Sequence, residues 1–240
     1  MLEKTRGIVL KVTDYGDTSV IVQIFTERFG MQSYLVQGAK RPKAKLPANM
    51  MRSLQLLDLV VRHRPGNSLQ RISEMSLSPP FLSIPYDVVK SSVALFINEM
   101  LYKSLRHQGP DEALFQFVYY AVSWLDSVER VPPGFHLFFL LRLSRFLGFH
   151  PSRRNEGDRF FDLKDGIYQR FEPNHPLTLS EPYVTLFSEL TIATFDALPS
   201  FRLSREQRRF LLEKMVEYFQ LHIDNFGEVK SRTVLEEVFS

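Results

Sequence analysis

Four cations, Lys40, Arg41, Lys43 and Lys45, fall within six residues of one another. Gly38, Pro42 and Pro47 surround them and no apolar period runs through them, so they sit on a loop. Cations this close repel one another unless a polyanion or solvent screens them. A phosphate backbone suits them, because each contact releases a condensed counterion. A solvated charge run explains the same residues, and both readings stand on this feature alone. Arg6, Lys11 and Arg52 extend the basic set. Tyr15, Phe25, Phe29 and Tyr34 are the aromatic residues nearby; Tyr15, in the turn-forming Asp14-Tyr15-Gly16-Asp17, is the candidate for stacking on a base, whereas Phe25 lies in an apolar run and reads as core.

Further along, Arg205, Arg208 and Arg209 share the first turns of a helix, where they oppose its macrodipole. With Lys230 and Arg232 they form a second candidate anion site; the competing reading is a solvated helix face paired with Glu206 or Glu213. Catalytic signatures are missing: no G-x-S-x-G, no phosphate-cradling GxxxxGK[ST], no GxGxxG and no HExxH. The six histidines, His63, His107, His136, His150, His175 and His222, show no metal-ligand spacing on a helix, and there is no cysteine for a thiolate site or a disulfide. No catalytic group, metal or cofactor is therefore expected.

The elements that must position these groups follow from periodicity. Residues 3–13 alternate, with Arg6, Ile8, Leu10 and Val12 on one face and Thr5, Gly7, Val9 and Lys11 on the other. Strands are predicted at 18–27, 31–36, 54–63 and 69–77, separated by turn residues. Five short strands in about 75 residues suit a small closed barrel. An OB-fold and an SH3-like barrel both fit that count. Pro79, Pro80 and Pro85 mark a boundary, after which apolar residues recur at helical spacing. Helices are predicted from Val89 to Leu101 and beyond, from Asp111 as cap to Leu125, and from Pro132 to Leu147 with Gly148 at its end. The last is apolar almost all round and should be buried. Residues 150–177 interrupt the helices with a hairpin turning at Asp165-Gly166. A helix follows at about 181–195; Ser204 and Gln207 form a capping box for another, to about Asn225, and a short one covers 233–239. The fold class is thus α+β: a barrel at 1–80, then a helical domain at 81–240 with its hairpin insert.

Composition narrows the function. The chain has 240 residues, 44% of them hydrophobic, enough for a real core. Met1 to Gly7 is charged and no stretch of about 18 apolar residues occurs, so neither a secretory leader nor a membrane span is expected, and a reducing cytoplasm suits the missing cysteines. Residues 1–80 hold twelve basic and six acidic side chains, a net of +6, whereas the remaining 160 hold 18 and 21, a net of −3. A basic barrel beside a slightly acidic remainder points to a polyanion for the barrel.

The first sixty residues also carry a resemblance. Gly7-Ile8-Val9-Leu10, Asp14-Tyr15-Gly16-Asp17-Thr18-Ser19, Phe25-Thr26, Gly30 and Gly38-Ala39-Lys40-Arg41, in this order and spacing, resemble the opening of the RecO family. Leu147-Gly148-Phe149 and Lys230-Ser231-Arg232 look like its later motifs. The resemblance implies an N-terminal OB-fold and a helical C-terminal domain. It further implies binding of single- and double-stranded DNA, annealing of complementary strands, contact with the C-terminal tail of single-stranded DNA-binding protein, and work with RecR to load RecA. That acidic, apolar-ended tail would need a basic-rimmed apolar pocket, for which Arg142 and Arg145 beside Phe138 and Phe146 are the candidate residues. Many of the family carry a four-cysteine zinc module after the central helix. This chain departs from that pattern, with the hairpin standing in its place. An adaptor whose barrel binds protein and no DNA is the alternative.

Overall fold

Alternating β-branched residues build the N-terminal strands. In the computed structural model, which describes residues 2–239, they are β1 (Leu2–Tyr15), β2 (Ser19–Thr26), β3 (Gly30–Val36), β4 (Leu56–Arg62) and β5 (Gln70–Leu77). They close in the order β1-β2-β3-β5-β4, all antiparallel except β3 with β5. This is the OB barrel, and the SH3-like alternative falls away. Val9, Val20, Val22, Ile24, Tyr34, Val36, Leu57, Leu59 and Val61 fill it.

The clean two-faced reading of β1 does not hold. Gly7, Ile8, Val9 and Leu10 are all buried, and the register with β2 shifts between Val9 and Lys11. The reason is that the strand is covered outside as well as inside. Two helices, α1 (Val88–Ser104) and α2 (Glu112–Ser127), belong to the same compact unit as the barrel, residues 1–128. Asn98 of α1 donates to the Leu10 carbonyl at 3.0 Å, and Phe115 of α2 meets Phe25 at 5.8 Å between ring centres. Asp87 and Asp111 cap these helices by accepting from Lys90 N and Leu114 N. Gly30, in the left-handed region at φ +66°, lets Met31 N reach the Gln108 carbonyl at 2.9 Å.

Asp126 fixes the connection between barrel and helices. Its carboxylate accepts N–H groups from Leu82, Ser83 and Ile84. Burial opposes its charge, but those hydrogen bonds prevail and hold its pKa below the ordinary value. The buried Lys90 donates to Ser83 Oγ at 2.7 Å and to the Asp126 carbonyl at 3.0 Å.

The second unit, residues 129–240, holds α3 (Phe135–Phe146), α4 (Tyr183–Ile192), α5 (Arg205–His222) and α6 (Ser231–Val238). Helix α3 is buried over most of its surface, as its composition requires, and packs on α4 and α5. Ser204 and Gln207 close the capping box at the start of α5. The expected hairpin is present as β6 (Phe160–Asp162) and β7 (Ile167–Gln169), but a third strand, β8 (Thr178–Leu179), pairs with β6 and makes a sheet. Two residues are too few to leave a period in the sequence.

Candidate nucleic-acid interface

The basic loop is shaped by its own backbone. Gly38, at φ +68°, turns the chain out of β3, with its N–H 3.3 Å from Ser19 Oγ. Lys40 N donates to the Thr18 carbonyl, Arg41 N to Gly38, and Ala44 N to Arg41. Lys43 adopts the left-handed region at φ +61°. At the far end, Ala48 N returns to the Ala39 carbonyl and Leu54 N to Val9. The loop is thereby stitched to the β1–β2 turn at one end and to β1 at the other.

Its cations are not equivalent. Lys40 Nζ lies 2.6 Å from Asp14 Oδ1, so it is partly neutralised and ties the loop beside Tyr15. Tyr15 itself is 54% exposed at the end of β1, opposite Ser19. Arg41, Lys43, Lys45 and Arg52 are exposed, and none has an ion-pair partner among the described residues. Lys11 is drawn to α1, with Nζ 3.2 Å from the Tyr102 hydroxyl and 4.8 Å from its ring centre.

Arg6 is placed differently from the expectation of a phosphate contact. Its guanidinium grips Glu27 with two hydrogen bonds, at 3.0 and 2.5 Å, and lies 4.8 Å from the Tyr119 ring centre and 5.4 Å from that of Phe115. Gln116 donates to the same carboxylate at 2.8 Å. The Arg6 hydrogen bonds hold the Glu27 carboxyl below its usual pKa. This clamp fastens β1 to the β2–β3 turn and to α2.

In the helical unit, Arg205, Arg208 and Arg209 do come together, lining a cavity of about 220 Å³ with His136, Glu236 and Phe239. Arg208 donates to the Phe239 carbonyl at 2.6 Å and lies over its ring. Arg209 and Arg232 both approach Glu236, at 3.8 and 3.5 Å. The acidic partner is thus Glu236 of α6, not Glu206 or Glu213 of the arginines' own helix. Lys230 lies just before α6. Burial, with help from the Arg208 charge, pushes His136 down to about 3, so it is neutral.

The proposed peptide-binding group is mostly occupied. Phe138 is buried, edge-on to Phe195 at 4.8 Å. Arg142 lies over Phe138 and donates to the Ala193 carbonyl beyond the end of α4. Of the four, only Arg145 is exposed, with Phe146 half-buried beside it.

At the hairpin insert, side chains hold the small sheet together. Buried Asp162 accepts from Lys164 N and Asp165 N and pairs with His175 at 3.2 Å. Phe161 packs on Tyr168, Phe187 and Tyr218. With no cysteine, a thiolate zinc site does not fit here. Among the described residues no group of three His, Asp or Glu is placed to hold a metal ion. Ser144 Oγ approaches His150 Nδ1 at 3.5 Å, but the arrangement is a structural one. Ser144 is buried and donates to the Leu141 carbonyl, which His150 Nδ1 also meets at 3.1 Å. No helix among the described residues is long and apolar enough to cross a membrane.

Comparison with known proteins agrees with this architecture. Residues 1–81 match the family described as Recombination protein O N terminal, and residues 85–233 match Recombination protein O C terminal. Proteins named DNA repair protein RecO are similar along their full length. That of Phocaeicola vulgatus is 35% identical and that of Bacteroides fragilis 36% identical, each with 100% of both chains covered. That of Flavobacterium psychrophilum is 35% identical over 99% of each. With both halves matched and relatives above 30% identity across the whole length, the chain belongs to the RecO family.

Proposed function

We propose that this protein is a DNA-binding recombination mediator acting in DNA repair without covalent catalysis. It binds single- and double-stranded DNA, anneals complementary strands and, with RecR, helps load RecA onto strands coated by single-stranded DNA-binding protein. The observation that carries the reading is the set of exposed, unneutralised cations Arg41, Lys43, Lys45 and Arg52 on the barrel loop. Lys40 and Tyr15 flank them, the first positioning the loop and the second offering a ring to a base. Lys11 stands on the same strand as Tyr15. Contacts of this kind neutralise the backbone and read no sequence. Annealing follows when two strands are held with their charges screened and their bases free. The cavity at Arg205, Arg208 and Arg209 is the proposed second anion site, and Arg145 with Phe146 the accessible part of the surface proposed for the partner's tail.

The test is fluorescence anisotropy of a labelled single strand at several salt concentrations. Replacing Lys40, Arg41, Lys43 and Lys45 together by alanine should flatten the slope of log K against log salt by roughly 2 to 3, at about 0.7 per phosphate contact, the upper figure counting Lys40 in full. Equal slopes in wild type and variant would move the site off the loop. A wild type that binds a protein partner and no DNA at about 50 mM salt would favour the adaptor reading instead.

A further inference from the structure

A second set of uncompensated cations lies on the barrel wall, apart from the loop. Arg62 of β4 and Arg71 of β5 are direct cross-strand partners. Like charges directly opposite one another destabilise an antiparallel pair. Arg64, two residues on, joins them around a groove of about 380 Å³ whose remaining lining is Leu35, Asn67, Leu69 and Gln70. Among the described residues no acidic one lines it. All three arginines are exposed, and none has an ion-pair partner among the described residues.

The groove is held rigid from beneath. Gln70, 3% exposed, accepts the Arg64 N–H at 2.9 Å through its side-chain oxygen. Its amide nitrogen donates to the carbonyls of Arg64 and Asn67, at 2.9 and 2.8 Å. One buried side chain thus fixes the hairpin loop between β4 and β5, and with it the backbone that carries Arg64. A fixed loop presenting three cations needs little ordering to receive an anion. Leu35 and Leu69 supply apolar surface between the charges, as the faces of unpaired bases require.

We infer that Arg62, Arg64 and Arg71 form a further phosphate-binding site on the barrel for single-stranded nucleic acid, continuing the track of the basic loop. This rests on the DNA-binding reading above. Continuity follows from the chain: Leu35, opposite Arg71 across the parallel β3–β5 pair, lies six residues before Arg41. Six residues span at most about 20 Å, so one strand can run from the loop onto the groove. Phosphates between Arg62 and Arg71 relieve the repulsion that the bare barrel carries.

The test is the same salt titration, with Arg62, Arg64 and Arg71 replaced together by glutamine. Three phosphate contacts at about 0.7 each predict a slope shallower by about 2 and binding weaker by roughly 100-fold at 0.1 M salt. Circular dichroism checks the fold, and each single glutamine variant, worth about 0.7 of slope, serves should the triple variant misfold. Arg71→Glu sharpens the test, since it turns the cross-strand repulsion into attraction: it should melt no lower than wild type while binding DNA more weakly. A folded triple variant with the wild-type slope would overturn this inference and leave the basic loop standing. A wild type without DNA affinity would overturn both.

Discussion

Replacing Arg6 should weaken the fold and leave the salt dependence of DNA binding untouched. The side chain is basic and lies in the barrel, yet its charge is already answered by Glu27. Arg6→Ala removes two charge-assisted hydrogen bonds and the approach to the Tyr119 ring, and leaves Glu27 with only Gln116 as its side-chain donor among the described residues. A fully buried pair broken on one side costs about 3–5 kcal/mol and an exposed one at most about 1. The Arg6 and Glu27 side chains are 31% and 21% exposed, so the cost falls between these limits, at about 2 kcal/mol. For a chain of this length that lowers the melting temperature by roughly 4–8 °C. A double-mutant cycle with Glu27→Ala should return a coupling of about 1–2 kcal/mol. The sign of its pH dependence follows from Glu27. Its folded pKa lies below the ordinary 4.5, so the clamp's contribution is present above that value and is lost as pH falls through the folded pKa. Arg41→Ala gives the opposite pattern, with an unchanged melt and a slope shallower by about 0.7. An Arg6→Ala variant that melts like wild type and loses slope would refute this reasoning, because the guanidinium would then be serving phosphate and not Glu27.

Two further outcomes test the frame around the site. Gly30→Ala should cost several kcal/mol, since a Cβ there would stand less than 3.0 Å from the backbone of Gln108 and Gly109 and alanine disfavours φ +66°; a denaturant midpoint like that of wild type would rule out the close approach. His136, neutral and buried, should make the helical unit acid-sensitive: its pKa falls from 6.5 to about 3, so stability is full above pH 6.5 and declines by about 1.4 kcal/mol per pH unit below it, until the folded form protonates near 3. Urea unfolding at pH 7 and pH 5 should therefore differ by about 2 kcal/mol more in wild type than in His136→Leu, and parallel changes would exclude the effect.

What the sequence showed and what it hid divide by range of interaction. The capping box at Ser204 and Gln207 was legible because three residues settle it. So were the five strands, whose alternation is local. The double burial of β1 was not, because the covering residues, Asn98 and Phe115, come about ninety positions later. Charge follows the same division. Lys40, Arg41, Lys43 and Lys45 form a visible cluster, but a count of cations cannot tell that Arg6 meets Glu27 twenty-one residues on, or that Asp14 takes up Lys40. Nor does it reveal that Arg62 and Arg71, nine positions apart, are set face to face by the β4–β5 register. A cation becomes a candidate for phosphate where the topology leaves it unanswered, and in this barrel pairing removes Arg6 from the visible set while strand register brings forward Arg62 and Arg71.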